Sequence, residues 1–389
     1  MTLTAPTTRT RPRRALGRPP RLLVLAGAIT AVVSLVPLVY LVVRVGEAGL
    51  QRIIEVLIRP RTLETVTTSV GLVVVVVSAC LLIGIPTAWL VARTNVPLRG
   101  MWLVLVSLPL AIPSYVAAYA WLSQFPAMNG FWAAAFILTM VSSPYVVLPV
   151  AASFRSSDPA LEEVARSLGR GPFRAFATTT LPQAWPSAAG GALLVALYVL
   201  SDFGAVALLR VDAFTRVIYA SYRASFDRVS AAVLALVLVA LAALLVLAER
   251  RIRGRTRRWR VATGTQRTAL PVELTGGRRV GALAWLTVLT ILALGVPLVS
   301  LILRMLQGSR SPLDWTELLT AAMTSLGVAL AGAILAVLLA ITGIGPLVLF
   351  FAAVIGSLFG KAAFITWMGR RITKPLGIKL PVVAALIAI

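Results

Sequence analysis

Side chains that hold metals, shuttle protons or attack substrates are scarce in this chain. It has no histidine and one cysteine in 389 residues. Histidine-bearing zinc sites, Ser-His-Asp triads and histidine acid–base catalysis are therefore excluded. Cys80 lies in an apolar run, has no disulfide partner and reads as a packing residue. The nearest approach to a phosphate-binding loop is "GSLFGKAA", Gly356 to Ala363. It has one residue too few between its glycines and no Ser or Thr after Lys361, so it fails the pattern. No catalytic residue, metal ligand set or cofactor is expected. An enzyme working inside a membrane would need clustered acids or a nucleophile, and the only acid within an apolar run is Asp202.

Asp202 is a candidate because an acid inside a span is costly to bury. Near the outer end of a span it would suit a passing cation. The competing reading is a carboxylate that reaches water, or that caps a break before Phe203-Gly204. Pro109 and Pro113 should kink or interrupt the run that holds them, and broken helices line cavities in transporters. Ser114, Tyr115 and Tyr119 would then face a path, unless Tyr119 and Trp121 instead form an interfacial belt.

The most structured polar stretch is "EEVARSLGRGPFRAFATTTLP", Glu162 to Pro182. Before it, Asp158-Pro159 reads as a helix start, with Asp as cap and Pro in the first turn. Glu162 and Glu163 follow where a helix dipole favours negative charge. Leu161, Val164, Ala165 and Leu168 share one face, and Glu162 and Arg166 are four apart on another. Gly169 reads as the stop. Pro172 opens a second short helix through Phe173 and Phe176, which Leu181-Pro182 closes. The product is two short helices on a glycine elbow, better suited to a protein groove than to resting on lipid.

The elements that must carry these residues are membrane spans. The chain is 59% hydrophobic with mean hydropathy +0.92, and several runs reach the roughly 20 residues a span needs. An all-α polytopic bundle is expected, with spans at 22–43, 66–92, 101–122, 132–152, 187–209, 229–248, 281–303 and 321–342. The first is too long for a signal h-region and reads as an uncleaved span. The net charge of +24 gathers outside the apolar runs, with ten arginines between 249 and 280. That is the positive-inside pattern, so the N-terminus (1–21) is placed in the cytoplasm, and nucleic acid is not an expected partner. Arg210, Arg216, Arg223 and Arg228 run against the rule in an outer loop, partly offset by Asp212 and Asp227.

"VPLVYLVVR" at Val36 returns as "VPLVSLILR" at Val296, and "TTSVG" at Thr67 returns as "MTSLG" at Met323. Nearly equal offsets point to a duplication in one direction. The divisions expected are a first half over 22–248 with a cytoplasmic loop at 153–186, an arginine-rich linker over 249–280, two spans of a second half over 281–342, and an atypical tail over 343–389. "AFITWMGRRI" in that tail could lie flat at the interface.

The loop then gains a name. Glu163-Val164-Ala165, three residues, Gly169, and "TTLP" at Thr179 to Pro182 resemble the EAA loop of ABC importer permeases, with Val164 and Thr179 as departures. "LPLAIPSYVAAYAWL" and "SDFGAVALLRVDAFTRVIY" resemble the ferric-iron permeases of that family. The resemblance implies a multi-pass protein of the bacterial inner membrane that moves ferric iron by alternating access. Polyamine, thiamine and phosphonate permeases are similar alternatives. Implied partners are a pair of ATP-binding subunits, an extracytoplasmic substrate-binding protein and membrane lipid. Glu163, Ala165, Arg166, Gly169, Phe173, Leu181 and Pro182 would form or shape the joint with the ATPase. A second copy of the loop is expected near residue 411 and does not occur, which admits a second permease chain as partner, or a non-transporting remnant.

Overall fold

The computed structural model describes residues 35–157, 160–223, 227–254, 271–307 and 315–341. The Asp158-Pro159 cap, the "GSLFGKAA" stretch, the interfacial segment of the tail and most of the first expected span lie outside them. The described residues are helical, and their one extended pairing is an isolated parallel bridge between Thr94 and Val272.

A helix covers 35–47 (α1), followed by α2 (Leu50–Ile58) and α3 (Pro60–Arg93). Pro60 starts α3 where its missing N–H is harmless, and Arg93 sits in the last turn, where a cation suits the dipole. Its 34 residues run about 51 Å at 1.5 Å each, longer than a hydrocarbon core of about 30 Å. Both ends of α3 therefore reach the polar zones.

Next come α4 (Arg99–Ser107), a 3₁₀ turn at Leu108–Ala111 and α5 (Ser114–Gln124). The two helices meet at 93°. Pro109 and Pro113 cause the break, since neither can donate to a continuing ladder. α6 (Gly130–Ser142) and α7 (Pro144–Ser156) follow as one 27-residue span. α8 (Ala160–Ser167), α9 (Pro172–Ala175) and α10 (Leu181–Ser201) come next, with a π-helical turn over Phe176–Thr180. After α11 (Gly204–Leu208) and α12 (Phe214–Arg223), α13 runs Arg228–Gly254. α14 (Gly276–Thr290) and α15 (Val296–Leu306) are joined by a second π turn at Ile291–Gly295.

Five described helices are long and apolar enough to cross a membrane, or six if the bent α4–α5 pair is one span. The compact unit over Tyr40–Pro312 holds α2 through α15. A second unit includes α16 (Trp315–Ile341), apolar between Leu319 and Ile334.

The core forms where α3, α6, α7 and α10 meet. Small residues let these backbones approach closely, as membrane bundles require. A Cβ on Gly191 would stand 2.6 Å from the Tyr145 carbonyl oxygen. A Cβ on Gly84 would stand 2.8 Å from Val146 Cγ1. Both helices therefore seat on the first turn of α7. At the other end of α3, the Phe214 N–H donates to Ser69 Oγ at 3.0 Å, which fixes α12. Asp227 caps α13 by accepting from the Ser230 hydroxyl and N–H. Those bonds, with Arg52 and Arg59 nearby, hold its carboxyl below the usual range.

Two expectations need correction. Leu181-Pro182 does not close a short helix; the chain runs unbroken from Phe173 to Ser201 as one 29-residue span. The π turn absorbs Pro182: the Leu181 N–H reaches back to Phe176 O, and the Thr179 hydroxyl donates to Ala175 O. The second π turn likewise lies just before Pro297. The widened turn spares the carbonyl that a proline ring would otherwise strike. The expected 187–209 span also ends early, at Ser201, because Asp202 leaves the helical conformation.

Candidate functional site: a glycine-elbow module at one end of the bundle

α8 lies beside the Arg93 end of α3, while α12 lies beside Ser69. The two positions are about 36 Å apart along α3 at 1.5 Å per residue. The 160–182 module and the 202–223 segment therefore mark opposite ends of the bundle.

Gly169 makes the elbow. Its φ is +82°. The Gly169 N–H donates to Arg166 O at 3.0 Å and the Arg170 N–H to Ala165 O at 3.2 Å. This pair of bonds is a Schellman motif with glycine at the left-handed position. It stops α8 after two turns and aims Pro172 and Phe173 into α9. No neighbour lies within 4 Å of a Cβ placed there, so backbone strain alone asks for glycine.

The module's polarity is inverted relative to a soluble helix. Leu161, Val164, Leu168 and Phe173 are exposed, Phe173 at 81%. Ala165 and Glu162 are buried. Glu162 does not pair across α8 with Arg166. It turns inward to the Arg93 guanidinium, and the Thr180 hydroxyl donates to it at 3.1 Å. Glu163 and Arg166 stay at the surface, beside the exposed apolar face. Leu181 is half-buried in the core and Pro182 is exposed. Of the residues singled out from sequence, Glu163, Arg166, Gly169 and Phe173 thus share the outer side of the module, while Ala165 and Leu181 anchor it. The contact of Glu162 with Arg93 and Thr180 was not foreseen. The only sequence signal for it was a basic residue at the end of a long apolar run.

The second candidate group gathers at the opposite end. Ser114 and Asp202, 88 positions apart, are hydrogen-bonded, with the hydroxyl donating. Asp202 Oδ2 accepts from the Ala205 N–H at 3.0 Å and the Val206 N–H at 3.4 Å. The Thr215 hydroxyl donates to the Asp202 carbonyl at 2.6 Å. Asp202 thus caps α11 and ties the break after α10 to the break before α5. It is buried, and its carboxylate already has three donors. Tyr115 and Tyr119 are exposed on α5. Trp121 belongs to no interfacial belt: it is buried against Phe125 and Phe136. Among the described residues no three His, Cys, Asp or Glu side chains cluster as a metal site.

Residues 81–258, which include the module and the Ser114–Asp202 pair, match the family described as binding-protein-dependent transport system inner membrane component. An Fe(3+)-transport system permease protein of Haemophilus influenzae is 33% identical over 326 residues, covering 83% of this chain and 64% of that protein. A molybdate/tungstate transport system permease protein of Thermococcus kodakarensis is 27% identical over 164 residues, 42% of this chain and 66% of its own length. A sulfate transport system permease protein of Escherichia coli (strain K12) is 28% identical over 197 residues, 46% of this chain and 67% of its own length. The chain spans just under two thirds of the iron-transport relative. The likeness to the inner membrane components of binding-protein-dependent transport systems thus lies in residues 81–258, the part of the apolar bundle that carries the module.

Proposed function

We propose that this chain is the transmembrane subunit of an ABC importer, and that the 160–182 module is the seat of a separate ATP-binding subunit. The observation that carries this is the inverted module. Four large apolar side chains face out at one end of the bundle while a carboxylate is buried behind them. An exposed apolar face next to Glu163 and Arg166 suits a groove on a partner protein. ATP is then hydrolysed on the partner, and this chain is not an enzyme. The module and the N-terminus lie on the cytoplasmic side of a bacterial inner membrane. The 202–223 end meets an extracytoplasmic binding protein, and substrate crosses by alternating access.

The substrate is ferric iron, on the strength of the 326-residue likeness to an iron-transport permease. A second reading, molybdate, tungstate or sulfate, draws on the shorter and more distant likenesses. Radioactive ferric-iron uptake competed with unlabelled molybdate and sulfate separates the two. Competition by the oxyanions would reject iron.

The docking claim is tested by purifying the tagged chain in mild detergent. An ATP-binding subunit is expected with the parent and is expected to fall at least tenfold with Glu163→Arg. Equal retention would remove Glu163 from the joint. Gly169→Val is expected to strain the elbow by about 2 kcal/mol and turn Phe173 away. Uptake per ATP hydrolysed should fall several-fold with the bundle still folded. Asn, which tolerates the left-handed region, should largely restore it. Normal uptake by Gly169→Val would contradict the elbow's role.

A further inference from the structure

We propose that Arg93 is a positioning residue that joins the docking module to the 276–306 helix, so that both move as one with the end of α3. The proposal rests on the docking function given above. Both side chains of the Arg93–Glu162 pair are buried, at 6% and 9% exposure. Glu162 Oε2 accepts from Arg93 on α3, and from Thr180 in the π turn that leads into α10. Three segments thus converge on one carboxylate oxygen.

The backbone of the same arginine holds the other connection. Arg93 O accepts from the Val272 N–H at 2.7 Å, and the Asn95 N–H donates to Val272 O at 3.2 Å. Asn95 Oδ1 accepts from the Leu274 N–H at 2.8 Å. Residues 271–275 lead straight into α14, and the Trp285 indole N–H donates to Thr87 at 2.9 Å, further back along α3. α14 is therefore pinned to the last turns of α3, where the module is also pinned. No other residue among those described holds the module with its side chain and the 271–275 segment with its backbone.

A buried ion pair is a poor stabiliser compared with hydrocarbon of the same shape, but it is directional and expensive to break by halves. It ties α8 to the end of α3. Arg93 Nε is buried and without a partner among the described residues. Glu162 thus has a second seat on the same guanidinium. A short slide of α8 would convert the present contact to a two-pronged one without releasing the charge. The pair can therefore tolerate a stroke of the module and still transmit it.

The test uses nitroxide labels at Ser167→Cys on α8 and Val280→Cys on α14, both exposed positions. Cys80 is fully buried and takes no label. Pulsed electron–electron distances are measured on the full chain, and again on the complex with its ATP-binding subunit after trapping with MgATP and vanadate. The parent is expected to give one narrow distribution. Glu162→Gln and Arg93→Gln should each broaden it at least twofold and abolish any response to trapping, while the ATP-binding subunit stays bound. The exchanged pair Arg93→Glu with Glu162→Arg should narrow it again, which a purely structural loss would not allow. The apolar double variant Arg93→Met with Glu162→Leu guards against misfolding: it should fold and still give the broad distribution. A narrow distribution in folded Glu162→Gln, or in the apolar double variant, overturns the proposal and leaves the docking reading intact. If no ATP-binding subunit accompanies the parent, the docking reading fails, and the distance widths in the chain alone still decide whether Arg93 positions the module.

Discussion

Gly191→Val is expected to prevent the bundle from assembling. The added Cβ would lie 2.6 Å from the Tyr145 carbonyl oxygen and 2.9 Å from Val146 Cα. Both are backbone atoms in the first turn of α7, so neither can rotate away. Relief requires moving α10 off α7, and both helices also pack against α3. Overpacking of this kind costs about 3 kcal/mol or more, and the two γ-methyls of valine enlarge it. The expected outcome is a protein that elutes as aggregate after detergent extraction. Gly84→Ala is the milder companion, because its Cβ would meet the Val146 side chain at 2.8 Å. It should lower the thermal midpoint yet leave a monodisperse peak. A stable, monodisperse Gly191→Val would contradict the close α7–α10 contact.

The second large effect is expected at Asp202, and two substitutions there should diverge. Asp202→Ala leaves the Ser114 hydroxyl and the Ala205 and Val206 N–H groups buried without their acceptor. Each unsatisfied group costs about 1–3 kcal/mol, so a loss of at least about 3 kcal/mol and a collapse of uptake follow. Asp202→Asn keeps an oxygen for the α11 cap and gains an N–H for Ser114. It should retain both folding and most ferric-iron uptake. If the negative charge itself served the passing cation, Asn would abolish uptake with the thermal midpoint unchanged. That single comparison separates a cap from a transport site.

Six of the eight expected spans were legible, counting the bent α4–α5 pair as one, because about 20 apolar residues in succession have few other uses. The break at Pro109 and Pro113 was legible because each proline deletes a hydrogen bond wherever it stands. Gly169 was legible because the elbow needs a left-handed residue. Glu162 was not. Its partner Arg93 is 69 positions away, and the usual rule turns an apolar face inward. Here the apolar residues Leu161, Val164 and Leu168 face outward instead. Pro182 misled for a different reason: a proline after a polar stretch ordinarily ends a helix, but a π turn lets the helix pass. Asp202 lay between two readings, because apolar composition continues through Leu209 while the backbone breaks at 202. Hydropathy cannot register a change of dihedral angle.

On the docking reading, the outward apolar face of the 160–182 module seats an ATP-binding subunit. The most direct test is site-specific photocrosslinking in intact cells, with a photoreactive residue placed at Phe173 and, as control, at Tyr222 on α12. Both positions are exposed, at opposite ends of the bundle. The expected result is one adduct from position 173, identified by mass spectrometry as an ATP-binding subunit, and none of that adduct from position 222. No adduct from 173, or the same adduct from both positions, would contradict it.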